Sequence, residues 1–403
     1  MSLMFGVWCL GLGASVGFGE DVARSRSLVC LRTASTPTMD GQLAEDVWKN
    51  APAASGFISM GTRDVPEVKP DWPVEDRTMV RALYDDERLY FGVECAAPEK
   101  PKFRVLQAGR DVNFLSAEAV EVFISPRPEA GVGYQLAVNP EGGQLDAQVR
   151  NASFDLGWNG EWKSAVCGGP GKWTAELAVP FKALGVDAPK GGTIWAVNFL
   201  RDHSSWHAMS VWSNPVAPHL ADLRTYGHLL FVDPRDEVSL ISLSCPLRAL
   251  WGTNVVGYAW RDRSGAERTG ELAVSVTRAG QIPCQATAQG RTFSFSLCAR
   301  DLLSLRLEKS LVAKEDKMVA AKLTVFAAPD FLRGLTLKAK LVDQAGRSVE
   351  KELSAPSPEI QISLPVAELS AGVCRFQVEA WTGGTLWGRE ERRFDLLAGE
   401  LPF

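Results

Sequence analysis

From residue 75 onward the chain breaks into short segments in which apolar and polar residues alternate, and alternation at period two fits half-buried strands rather than helices. Thr78–Tyr84 and Leu89–Cys95 flank a polar hairpin connection, Asp85-Asp86-Glu87-Arg88. Further strands are expected over Ala119–Ile124, Gly133–Asn139, Leu145–Asn151, Trp162–Val166, Trp173–Val179, Trp195–Arg201 and Gly227–Val232. Turn residues separate them, among them Pro140-Glu141-Gly142-Gly143 and Gly168-Gly169-Pro170-Gly171. A short helix is expected over Gln42–Lys49, and Pro180–Gly185 reads as one helical turn closed by glycine. The fold class is all-β, a sandwich with decorations.

Length favours two or three domains. Asp233-Pro234-Arg235-Asp236 closes the first block, and new strands begin at Val238, among them Leu323–Ala327, Leu335–Val342 and Val373–Ala380 around the turn Asp343–Gly346. The expected division is 1–19 as a signal peptide, 28–235 as the first sandwich, 236–314 as a second and 315–403 as an immunoglobulin-like third. Lys314-Glu315-Asp316-Lys317 marks the last boundary, and a single larger C-terminal domain is the alternative.

The apolar run Leu3–Val16 followed by Gly17-Phe18-Gly19 has the form of a secretory leader and is short for a membrane span. An exported, membrane-span-free mature chain is expected. Beyond the leader seven cysteines remain, an odd number without a CxxC motif; Cys284 and Cys298 could close a short loop, or the thiols could simply be buried. Net charge is −5 with no basic block, which argues against nucleic acid.

Residues two apart share a strand face. Val120, Val122 and Ile124 oppose Ala119, Glu121 and Phe123; Tyr134, Leu136 and Val138 oppose Gln135, Ala137 and Asn139. Trp173, Ala175, Leu177 and Val179 oppose Thr174, Glu176 and Ala178, and Trp195, Val197, Phe199 and Arg201 oppose Ala196, Asn198 and Leu200. Small residues beside amides and carboxylates form a hydrogen-bonding floor if these strands are neighbours; an ordinary solvated sheet face alternates in the same way. Eight of the 13 tryptophans lie between Trp48 and Trp212. Trp48, Trp173 and Trp195 sit on apolar faces and are expected in the core, whereas Trp72, Trp158, Trp206 and Trp212 lie near loops, where indoles stack on ligands.

The order Asp40-Gly41 to Trp48, Tyr84-Asp85-Asp86-x-x-Leu89-Tyr90, Glu118-x-x-Glu121-Val122-Phe123, Trp162 and Gly171-Lys172-Trp173-x-x-Glu176-x-x-x-Pro180-Phe181 resembles the family 9 carbohydrate-binding modules. So does its continuation, Trp195-x-x-Asn198-Phe199-x-Arg201, Trp212-Ser213 and Tyr226-Gly227-x-Leu229-x-Phe231, the whole covering about residues 35–233. The resemblance implies a sandwich that clamps an oligo- or polysaccharide between two aromatic rings with polar support, often with structural calcium. The ring candidates are Trp72, Trp158, Trp206 and Trp212; the polar ones are Arg110, Glu121, Asn139, Asn198 and Arg201. An ion pair is the plain alternative for Arg201, which precedes Asp202.

No cofactor is required on this reading. Asp85-Asp86 and Asp111 could take calcium, although a solvated turn explains them too. His203-x-x-x-His207 has metal spacing only on a helix and follows a strand here. The expected function is non-catalytic glycan binding in polysaccharide breakdown, with the C-terminal domains as spacers or protein-contact modules. The alternatives are a glycoside hydrolase using Glu121 and Glu176, or a structural envelope or adhesion protein with a vestigial sugar site.

Overall fold

The computed structural model describes residues 24–59, 78–97, 108–112, 118–151, 153–203, 208–213, 222–223, 226–354 and 357–399. Its first 14 strands are β1 (Ser27–Arg32), β2 (Ala53–Ala54), β3 (Ile58–Ser59), β4 (Thr78–Tyr84), β5 (Arg88–Ala96), β6 (Ala119–Arg127), β7 (Val132–Val138), β8 (Gln144–Arg150), β9 (Ser153–Asp155), β10 (Lys163–Gly169), β11 (Lys172–Pro180), β12 (Ile194–His203), β13 (Ala208–Val211) and β14 (Gly227–Val232). They form one sheet whose main path is β10-β11-β5-β4-β1-β14-β12-β6-β7-β8-β9. Strand β1 pairs in parallel with both β4 and β14 and so joins two layers.

The sheet folds onto itself because one face of each strand is apolar and has to leave water. Val120, Val122 and Ile124 of β6, Tyr134, Leu136 and Val138 of β7, and Trp173, Ala175, Leu177 and Val179 of β11 share one core. Phe91 of β5 meets Phe199 of β12 across it, edge to face at 5.8 Å, and Trp195 meets Phe231 at 4.7 Å. The expected strand faces therefore point as the alternation requires.

The helix expected over Gln42–Lys49 is shorter, Asp46–Lys49. Side-chain bonds hold the preceding residues instead: Asp40 Oδ1 accepts the Gln42 N–H, and Gly41, at φ +80°, donates to Glu176. A side chain at Gly41 would put its Cβ 2.4 Å from the Val166 carbonyl carbon. The turn Phe181–Leu184 is a 3-10 helix closed by Gly185 at φ 65°, as expected.

Two further cores follow. Strands β15 (Val238–Ser244), β16 (Gly252–Asp262) and β17 (Glu267–Val276) form one sheet, and β18 (Gly280–Ala288) with β19 (Arg291–Ala299) a hairpin, around Leu240, Val256, Phe293 and Leu297. In the last group β20 (Leu303–Leu307), β22 (Met318–Val325) and β25 (Glu359–Pro365) form one sheet. Strands β21 (Leu311–Ala313), β23 (Thr336–Val342), β24 (Ser348–Ser354), β26 (Gly372–Thr382) and β27 (Thr385–Leu397) form the other. Because β20 and β21 already belong to these sheets, Lys314–Lys317 lies inside this group, a correction to the boundary expected there.

The seven cysteines from Cys30 onward are unbridged. Cys284 faces the core of its hairpin, whereas Cys298 lies beyond the residue paired with it, so the short loop expected between them is not closed. Among the described residues no helix is long and apolar enough to cross a membrane.

Candidate functional site

The outer face of β12, β6 and β7 carries Asp202, Glu121 and Gln135. Register places Glu121 between Leu200 of β12 and Ala137 of β7, and Asp202 opposite Ala119. Glu121 and Asp202 are thus diagonal neighbours, about 7–8 Å apart at the backbone. Ala119 and Ala137, on the same face as Glu121, are fully buried and packed with Val112 and Leu145.

Gln135 Nε2 donates to Glu121 Oε2 at 2.5 Å. Burial pushes the Glu121 carboxyl up to about 7, with the Gln135 bond opposing and the Asp202 charge adding to the shift. Asp202 is raised to about 6 by burial, against the pull of Arg201. Tyr226 borders this face and packs on Phe123 at 5.9 Å between ring centroids; burial, Asp222 and Glu121 hold its hydroxyl well above the usual range. A poorly hydrated carboxylate beside an amide is a strong acceptor for hydroxyl groups.

Neither Gln135 nor Asp202 was among the residues expected at the site. Their signal is the period itself: Asp202 continues the Asn198–Leu200 face, and Gln135 the Ala137 face.

Most other expected site residues are occupied within the fold. Asn198 is buried: its Oδ1 accepts the Ser213 and Phe199 N–H groups, each at 2.9 Å, and its Nδ2 donates to Ser213 O at 3.0 Å. Asn139 is buried in the β7–β8 turn, where its Oδ1 accepts the N–H groups of Glu141 and Gly143. Arg201 is 1% exposed, paired with Glu118 and set over the Trp173 ring at 4.9 Å. Trp212 is 2% exposed, packed on Phe199 and against Gly227, so it belongs to the core and not to a loop surface. Each of these four side chains satisfies a need of the fold, and for Arg201 that need is met by an ion pair, the alternative the sequence offered, although with Glu118.

Arg110 and Trp158 come together at one edge. Arg110 Nη2 donates to Asp146 Oδ2 at 2.7 Å, and the same oxygen accepts the Gly160 N–H and Trp162 Nε1–H, both at 2.8 Å. Trp158, half-buried in that turn, lies 4.9 Å from the Tyr134 ring. Val112, two residues after Arg110, packs on Ala119 and Ala137, which joins this edge to the face that carries Glu121. Trp72 and Trp206 lie outside the described residues.

Glu176 belongs to the opposite layer. Its Oε1 accepts Trp48 Nε1–H at 2.8 Å and its Oε2 the N–H groups of Gly41 and Asp40. Burial, opposed by these donors, raises its pKa.

Of the calcium candidates, Asp85 and Asp86 are engaged within the fold. Asp85 Oδ1 accepts the N–H groups of Glu87 and Arg88, Oδ2 accepts the Tyr90 hydroxyl, and Asp86 pairs with Arg32. His203 is buried beside Ser210 and pushed down to about 3, hence neutral; His207 lies outside the described residues. Among the described residues no group of three or more His, Cys, Asp or Glu gathers as metal ligands.

No family model and no curated protein sequence matches the chain. Solved structures do. A family 9 carbohydrate-binding module from Caldicellulosiruptor kristjanssonii, in complex with cellotriose, is 16% identical, with 52% of this chain and 96% of that one covered and a TM-score of 0.37. A glucose complex of such a module from the same organism is 15% identical, with 51% and 96% covered and a TM-score of 0.37. A protein from Bacteroides uniformis described as carbohydrate-binding is 16% identical, with 51% and 99% covered and a TM-score of 0.40. The chain is similar to these modules over about half its length.

Proposed function

We propose that the first sandwich binds carbohydrate without transforming it, on the β12–β6–β7 face around Glu121. The observation that carries this reading is a carboxyl raised to about 7 by burial and bonded by Gln135 through one oxygen, on a strand face shared with the small residues Ala119 and Ala137. Such a group gains by accepting sugar hydroxyls that replace lost water. The motif order over about residues 35–233 supports the same class of ligand. The leader-like N-terminus supports an exported protein, with the later strand groups as spacers or protein-contact modules.

The second reading is a structural envelope or adhesion protein whose site has been lost. What favours it is specific: Trp212 is core, and Asn139, Asn198 and Arg201 are consumed internally.

Calorimetry of the full chain against mono- and oligosaccharides separates the two. Saturable binding abolished by Glu121→Ala supports the first reading, and no binding across the panel supports the second.

A further inference from the structure

Where the first and second groups of strands meet, a cleft of about 600 Å³ opens, of the size that small-ligand sites occupy. One wall is the outer face of the β18–β19 hairpin. Its inner residues, such as Ile282, Phe293 and Leu297, enter the core, which leaves Gln281, Pro283 and Gln285 paired with Cys298, Ser296 and Ser294 towards the cleft. The facing wall includes Pro126 and Pro128 at the end of β6, and Ala196 with its register partner His228.

The cleft is held open by bonds that tie the two groups of strands together. Arg24 donates to Ser244 Oγ at 2.8 Å and to Val255 O at 2.9 Å, Ser25 N donates to Cys245 O at 2.8 Å, and Arg291 pairs with Asp236 at 2.9 Å.

Two features point to a ligand and to its class. His228 Nε2 is buried with no hydrogen-bond partner, and burial holds the ring down at about 4, so at neutral pH it is an uncharged group with an unmet bond. The wall is also almost without charge. Among the described residues Glu129 is the one Asp, Glu, Lys or Arg in the wall, and the Cys245 and Cys284 thiols, raised by burial, stay protonated. Among the described residues phosphate and carboxylate ligands find no cationic side chain there, whereas amides, hydroxyls and flat proline faces suit neutral polyols.

We propose that this cleft is a second saccharide site, taking a neutral oligosaccharide between the β18–β19 hairpin and the His228 wall. The ligand class rests on the carbohydrate reading of the first sandwich; the site itself is separate from Glu121. The middle strand group is then half of a binding site and not only a spacer.

The test is calorimetry of the full chain with neutral gluco-, manno-, xylo- and galacto-oligosaccharides, together with NMR of the His228 imidazole, assigned with His228→Gln. Gln285 is exposed, so Gln285→Trp obstructs the cleft without loading a core; Ser294→Trp is the substitute if that variant melts early. The expected result is two sites per chain, a shift of the His228 resonance on saturation, and loss of one site in the obstructed variant, with the Glu121-dependent site retained. A single site abolished by Glu121→Ala, with His228 unmoved and obstruction without effect, overturns the cleft proposal and leaves the first reading standing. Absence of any sugar binding overturns both.

Discussion

Glu121 and Glu176 stand on opposite outer faces of one sandwich, with the Phe91–Phe199 core between their layers. Packed sheets lie about 10 Å apart and these side chains point away from each other, so they do not flank a shared bond as a glycosidase pair must. The hydrolase alternative built on this pair therefore fails on geometry. Glu176→Ala is expected to cost about 2–5 kcal/mol of stability by stranding the Trp48 and Gly41 donors. Denaturant unfolding measures that cost; a variant as stable as the parent contradicts the role assigned to Glu176.

The face that carries Glu121 and Asp202 gives a pH signature. Both Glu121, at about 7, and Asp202, at about 6, are raised above their ordinary values of 4.5 and 3.8. A raised carboxyl favours the folded state while protonated, so this contribution is lost as pH rises from about 4 to 7. Sugar affinity is expected to run the other way and grow as Glu121 ionises. In Glu121→Gln both trends should flatten, which paired melting and calorimetric series at stepped pH would show. An unchanged melting profile in the variant would place the titration elsewhere.

Trp212→Ala tests the placement of that indole. With Trp212 packed on Phe199 at 5.4 Å, the substitution is expected to cost about 3–5 kcal/mol of stability. Sugar affinity, measured well below the melting temperature, should stay near the parent value. A large affinity loss with little loss of stability would return Trp212 to the ligand.

Asp146 and Arg110 form an asymmetric pair, 1% and 38% exposed at the side chain. Removing Asp146 strands Arg110, Gly160 N–H and Trp162 Nε1–H, so Asp146→Ala is expected to cost about 3–5 kcal/mol. Arg110→Ala leaves two donors on the carboxylate and should cost about 1 kcal/mol or less. Equal costs in chemical denaturation would argue that the ion pair, and not the triple acceptor role, is what matters.

The inside and outside of the strands were legible because period two assigns faces without knowledge of partners: Val120, Val122 and Ile124 point inward as the pattern demands. What Asn139, Asn198 and Arg201 do was not legible. Amides and guanidinium groups read as ligand contacts, yet Asn139 closes its own turn, Asn198 pins Ser213 and Arg201 pairs with Glu118. Those partners lie across turns or layers that alternation does not encode. The helix expected from Gln42 was shortened for a related reason, since Glu176, far away in sequence, takes the Gly41 N–H.

The measurement closest to the central claim is calorimetric titration of the full chain with neutral oligosaccharides, parent beside Glu121→Ala. The account predicts saturable binding in the parent and a loss at the Glu121 site of about 10- to 100-fold in the variant, the worth of a hydrogen bond to a charged group. Equal affinity in both proteins, or no binding by the parent, would contradict it.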